Sequence, residues 1–200
     1  MGKLVYGVGI SEAGEFKRTA YIDGKKIATK QYDLWYSMIQ RCYSEKFQQR
    51  CPTYAGCSVS EDFKYFQKFA KWCQKQVGFG LYGYQLDKDI LFRGNKQYSE
   101  TSCVFVPLSI NSLLLKRDAS RGEFPIGVSW HKRSQQYRAQ CADGTGGQIH
   151  IGCFTTVEGA FIAYKTHKEA FIKRLALEYR GVLDYRVFDA LMNYEVSIND

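Results

Sequence analysis

The sequence predicts an α+β chain, and three patterns carry that expectation. Short runs of β-branched and aromatic residues recur between turn signals. Two windows repeat apolar residues at helical spacing. Near the C-terminus, three alternating strands lead directly into one long helix. The architecture expected is N-terminal strands and helices, then a strand–loop–strand–helix finger, then a three-stranded antiparallel sheet packed on one helix.

The elements follow in order. Tyr21-Ile22 and Lys26-Ile27 flank Asp23-Gly24, a two-residue hairpin turn. Leu34, Trp35, Met38, Ile39 and Cys42 set a helix over roughly Tyr32 to Tyr43. After a loop with Pro52 and Gly56, Ser60 is an N-cap for a second helix reaching about Gln76. Its stripe of Phe63, Phe66, Phe69 and Trp72 reads as core rather than as a stacking platform, because it holds helical spacing. Two short strands come next, Leu86–Ile90 and Cys103–Val106, separated by a turn region at Arg93–Lys96. Pro107 then opens a helix carrying Leu108, Asn111, Leu114 and Leu115. The charged stretch Lys116–Glu123, with Gly122, is the expected linker.

Beyond it, strands are expected over Ile126–His131, Tyr137–Ala142 and Gln148–Gly152. A helix to about Tyr179 opens with a capping box, Thr155 as N-cap and Glu158 three residues on. Alternation sends Val128, Trp130, Ala139, Cys141, Ile149 and Ile151 toward the helix, whose apolar face is Ala160, Ala163, Tyr164, His167, Ala170, Phe171 and Leu175. It sends Ser129, His131, Arg133, Arg138, Gln140, Gln148 and His150 the other way. Such a face supplies bidentate donors for base edges and charges for phosphates, or else forms an ordinary solvated surface. Cys153 is expected to pack.

Bulk properties bound the function. Two hundred residues with 45% hydrophobic content can bury a large core or two small ones without staples. The opening Met1-Gly2-Lys3-Leu4-Val5-Tyr6 is broken at once by glycine and charge, so neither a secretory signal nor a membrane span is expected. Seven cysteines, an odd number without a CxxC pair, point to reduced thiols in a cytoplasmic chain, with neither a disulfide framework nor zinc expected. The formal charge of +8 hints at a polyanionic partner. Its distribution says more: Arg121 to Arg180 holds nine Lys and Arg against five acids, while Gly181–Asp200 holds one Arg against four acids. The acidic tail is expected to lie away from nucleic acid.

Two resemblances sharpen this reading. Gly127-Val128, Tyr137-Arg138-Ala139, Ile151-Gly152-Cys153-Phe154-Thr155-Thr156, Glu158, Ala160, Ala163 and Tyr164 resemble the ethylene-response-factor, or Apetala-type, DNA-binding domain. The resemblance implies that the sheet enters the major groove of double-stranded DNA. It puts the reading positions on Ser129, His131, Arg138, Gln140 and His150, with Lys132 and Arg133 beside them. Ser129 and His150 replace the usual Arg and Trp of the plant pattern, so the plant target does not transfer.

Trp35, Met38, Arg41-Cys42-Tyr43, Leu86-Asp87-Lys88-Asp89, Gly94-Asn95, Tyr98 to Val106 and Asn111 resemble phage HNH, or His-Me finger, homing-type endonucleases carrying an Apetala-type domain. That resemblance implies a magnesium ion between Asp87 and Asn111, both hard oxygen donors, clamping the scissile phosphate for nicking. The usual general-base His is replaced by Lys88 and a mid-motif Asn by Ser102. An ordinary lysine is only about 0.04% neutral at pH 7, so Lys88 suits a phosphate clamp better than a base. Two readings stay open: a nicking endonuclease with a nonstandard site, or an inactive DNA-binding regulator or phage inhibitor of a host protein, in either case in the host cytoplasm. The expected organisation is residues 1–118 with the finger at about 84–117, the DNA-binding domain at 123–180 and a helical tail at 181–200.

Overall fold

The computed structural model describes residues 4–114 and 122–200. It is mixed α+β, with six α-helices and four small sheets among the described residues. The chain divides into two compact units, residues 1–105 and 106–200, each with its own core. The division falls between Phe105 and Val106, inside the segment expected to form the finger. Leu115 and most of the expected linker lie outside the described residues.

In the first unit, β1 (Thr19–Ile22) and β2 (Lys25–Ala28) form the expected hairpin. Asp23 and Gly24 both take positive φ, 49° and 73°, as a two-residue turn matched to strand twist requires. Helix α1 (Lys30–Tyr43) buries Trp35, Met38, Ile39 and Cys42 and starts at Thr29, whose hydroxyl accepts from the Tyr32 amide at 3.4 Å. A short α2 (Glu45–Arg50), capped by Ser44, occupies a stretch that has no apolar periodicity.

The single helix expected from Ser60 to Gln76 is instead two pieces: a 3-10 turn at Asp62–Lys64 and α3 (Phe66–Cys73). Glu61, not Ser60, occupies the N-cap of the first piece, although Ser60 Oγ does accept from the Phe63 amide at 3.3 Å. The break is tertiary in origin. Ile10 donates its amide to Lys64 O at 2.8 Å and accepts from the Phe66 amide at 3.0 Å, which holds Tyr65 extended at φ −93°, ψ 119°. Phe63, Phe66 and Phe69 are nevertheless fully buried, as core. Strand β3 (Ser58–Val59) pairs in parallel with β5 (Gln97–Tyr98), and β4 (Tyr84–Asp87) pairs with β6 (Val104–Pro107).

In the second unit α4 (Leu108–Leu114) begins just after Pro107. Strands β7 (Val128–His131), β8 (Gln136–Ala142) and β9 (Gln148–Phe154) form an antiparallel sheet in that order, packed on α5 (Val157–Glu178). The acidic tail supplies α6 (Tyr185–Met192), and Val196 reaches the sheet–helix core. Gly127 is required where the sheet meets α5. Its φ is +77°, and a Cβ there would come within 2.1 Å of the Tyr164 ring.

Three local expectations are corrected. Strand β9 runs to Phe154 rather than Gly152, through an irregularity that sets Gln140 against His150 but Ala139 against Gly152, leaving Ile151 as the extra residue. The N-cap of α5 is Thr156, which accepts from the Gly159 amide at 3.1 Å, so Glu158 sits one position too early for a capping box. Finally, α5 buries Ala160, Phe161, Tyr164, Lys168, Ile172 and Ala176, while Ala170 is exposed. The stripe differs because α5 packs against α4 and α6 as well as the sheet. Ile110, Leu113 and Leu114 meet Ile172, Leu175 and Leu191, and the Lys168 ammonium donates to the Leu113 carbonyl.

Candidate nucleic-acid interface

Strand register places the expected reading residues on one face of the sheet. Ser129 stands opposite Arg138, which stands opposite Cys153; His131 stands opposite Gln136; Gln140 stands opposite His150. The other face carries Val128, Ala139 and Cys141, all buried beneath α5. Trp130 lies on that helix side at the sheet's end, 38% exposed, with its ring edge-on to Tyr137 at 4.8 Å. Lys132 and Arg133 are exposed in the β7–β8 turn. His131 Nδ1 lies 2.8 Å from Ser134 Oγ, and Gln135 donates to Lys132 O at 2.7 Å, so the turn is held from both ends.

Arg138 is the unusual member of the face. Its Nε is closed off from solvent and meets no hydrogen-bond acceptor among the described residues. A buried donor without an acceptor costs about 1–3 kcal/mol, and a phosphate or base-edge oxygen would relieve that cost only after the side chain swings outward to expose the Nε. Cys153 was expected to pack, but it is exposed and beside Arg138. The extra residue in β9 shifts the alternation after His150 and turns Cys153 outward; nothing in the residue types announces that shift.

The other candidate group lies at the end of β4 in the first unit. Asp87 Oδ1 accepts from the amides of Asp89 at 2.9 Å and Ile90 at 2.7 Å. Burial, helped by the neighbouring Asp89, pushes its carboxyl up to about 6. The Lys88 ammonium, almost enclosed, reaches Asp89 Oδ2 at 3.1 Å and Asn95 O at 3.0 Å, and lies over the Tyr98 ring. Burial works to lower it, but Asp89 and Asp87 outweigh burial and leave it above the ordinary lysine range. Asn95 answers by donating to Lys88 O and Gln97 O, both at 2.6 Å. Ser102 is buried and donates to Gln97 O at 2.9 Å, closing the next turn. This network ties down a loop.

Asn111, the other expected magnesium ligand, is on α4 in the second unit. Within the first unit Asp87 contributes a single carboxylate whose Oδ1 already accepts two amides, and Asp89 is engaged by Lys88. Those residues alone do not make a magnesium cage. No group of three or more His, Cys, Asp or Glu among the described residues could hold a metal ion. No described helix is long and apolar enough to cross a membrane. Comparison with protein-family models, curated proteins and solved structures found no match for this chain.

Proposed function

We propose that this protein binds double-stranded DNA through the outer face of the β7–β8–β9 sheet. The observation that carries the reading is the register that sets Ser129, Arg138, Gln140 and His150 on one face of the sheet, opposite the face that buries Val128, Ala139 and Cys141. A guanidinium suits a guanine edge or a phosphate, while Gln140 suits an adenine edge. Lys132 and Arg133, in the exposed turn, suit phosphates on either side. The test is the affinity of the whole chain for a duplex across a salt series. Log affinity should fall linearly with log salt, by about 0.9 for each phosphate contacted. Absent or salt-independent binding contradicts the reading.

A second reading, a magnesium-dependent nicking endonuclease, rests on Asp87. Its carboxyl is held near 6 because burial leaves the anion short of compensating charge, which a divalent cation would supply. Magnesium held there would stabilise the leaving oxygen of a scissile phosphate. Lys88 does not supply the base in this reading, since Asp89 and Asn95 keep its ammonium protonated and engaged. A plasmid-nicking assay with magnesium decides it: nicking by the wild type that Asp87→Ala removes supports an enzyme, and no nicking leaves a DNA-binding regulator.

A further inference from the structure

The β1–β2 hairpin is a ribbon without a core. Seven of its eight strand residues are exposed, Ala20 being the exception. Its large side chains face water: Tyr21 is 74% exposed, Ile22 54% and Ile27 42%. A lone two-stranded hairpin is only marginally stable in water, so such side chains do not repay their exposure by packing within the ribbon. The ribbon is nonetheless firmly mounted. Thr29 donates its amide to Arg18 O at 2.9 Å and its hydroxyl to Lys17 O at 2.8 Å, while the same hydroxyl caps α1.

Charge says what the ribbon meets. Residues 17–30 hold Lys17, Arg18, Lys25, Lys26 and Lys30 against Asp23 alone, and all five cations are exposed. Residues 1–105 carry sixteen Lys and Arg against ten acids, whereas residues 106–200 carry twelve against ten. Most of the net positive charge therefore belongs to the unit that bears the ribbon, not to the unit that bears the three-stranded sheet. Cross-strand register sets Tyr21 opposite Lys26 on one face and Ile22 opposite Lys25 on the other. Each face thus presents a cation beside an apolar side chain. Lysines on both faces disfavour strand addition by a second copy.

We propose that the β1–β2 hairpin is a second DNA-binding element, a basic ribbon that lies in a groove of duplex DNA. The major groove admits a two-stranded ribbon; with the Tyr21–Lys26 face inward, Tyr21 meets base edges and thymine methyls, while Lys26 beside it and Lys25 near the turn reach the flanking phosphates. The inference rests on the duplex-binding reading above and extends it to the first unit.

The experiment compares the whole wild-type chain with Lys25→Ala/Lys26→Ala and, separately, with Arg138→Ala. A mixed-sequence duplex of about 30 base pairs is titrated in a salt series. The double variant should melt like the wild type, bind at least tenfold more weakly at low salt, and show a salt slope shallower by about 2. If its affinity and slope are unchanged while Arg138→Ala binds weakly, the ribbon proposal is overturned and the sheet reading stands. Weak binding by the double variant with normal binding by Arg138→Ala supports the ribbon and removes the sheet. A wild type that binds no duplex overturns both. Concentration-dependent self-association that the double variant abolishes, with DNA binding unaltered, identifies the ribbon as a contact between copies and overturns the proposal.

Discussion

Arg138 stands opposite Ser129 across β7 and β8, with its Nε buried and unmatched among the described residues. Removing the guanidinium removes an unsatisfied donor, so it should not weaken the fold. Arg138→Ala is expected to lower duplex affinity by about 1–3 kcal/mol and leave the melting temperature unchanged or slightly raised. Fluorescence anisotropy with a duplex, paired with thermal unfolding, checks both halves. A large fall in melting temperature would instead make Arg138 structural.

Gly127 tests the sheet–helix contact. Its positive φ and the Tyr164 ring leave no room for a methyl group. Gly127→Ala should destabilise the second unit by about 2–5 kcal/mol, combining backbone strain and overpacking. Denaturant unfolding followed by tyrosine fluorescence reads this; a loss below about 1 kcal/mol would mean that the contact is looser than described.

Asp87 gives a pH signature. Its carboxyl is raised to about 6 in the folded chain, so folding favours its protonated form. The stabilisation this brings is present below the ordinary carboxylate range, near pH 4, and is lost as pH rises through about 6. Asp87→Asn retains an acceptor for the Asp89 and Ile90 amides without the charge. It should be more stable than the wild type at pH 7–8 by about 1–3 kcal/mol, with the gap closing between about pH 6 and 4. A gap independent of pH contradicts the account.

Lys88 is expected to be structural. Lys88→Met removes the donor to Asn95 O and the partner of Asp89, so the loop should loosen. The loss should be about 1–3 kcal/mol in denaturant, with duplex affinity preserved. An undiminished stability would return Lys88 to the list of ligand-binding groups.

Where a single element decides its own conformation, the sequence was legible. The Asp23-Gly24 hairpin, the apolar face of α1 and the alternation of β7 and β8 follow from local residue types, and all three are in the structure. Where a partner from elsewhere decides, it was not. Ile10 splits the aromatic helix at Tyr65, and the Ser58–Gln97 parallel pairing joins two-residue strands too short to announce themselves. The candidate interface shows the same division. Ser129, Arg138, Gln140 and His150 fall on one face as alternation says, but the extra residue in β9 brings out Cys153, which alternation alone does not reveal. Lys168 is the plainest surprise: helical spacing offers no reason to bury a lysine, and the Leu113 carbonyl of α4 supplies one.

Selection from a random duplex library tests most directly whether the outer face of the three-stranded sheet reads base pairs. The whole chain should enrich a short contiguous motif, and Gln140→Ala should relax the preference at one or two of its positions while leaving the others intact. Enrichment of no motif, or of a motif untouched by Gln140→Ala, Arg138→Ala and His150→Ala alike, would contradict that reading.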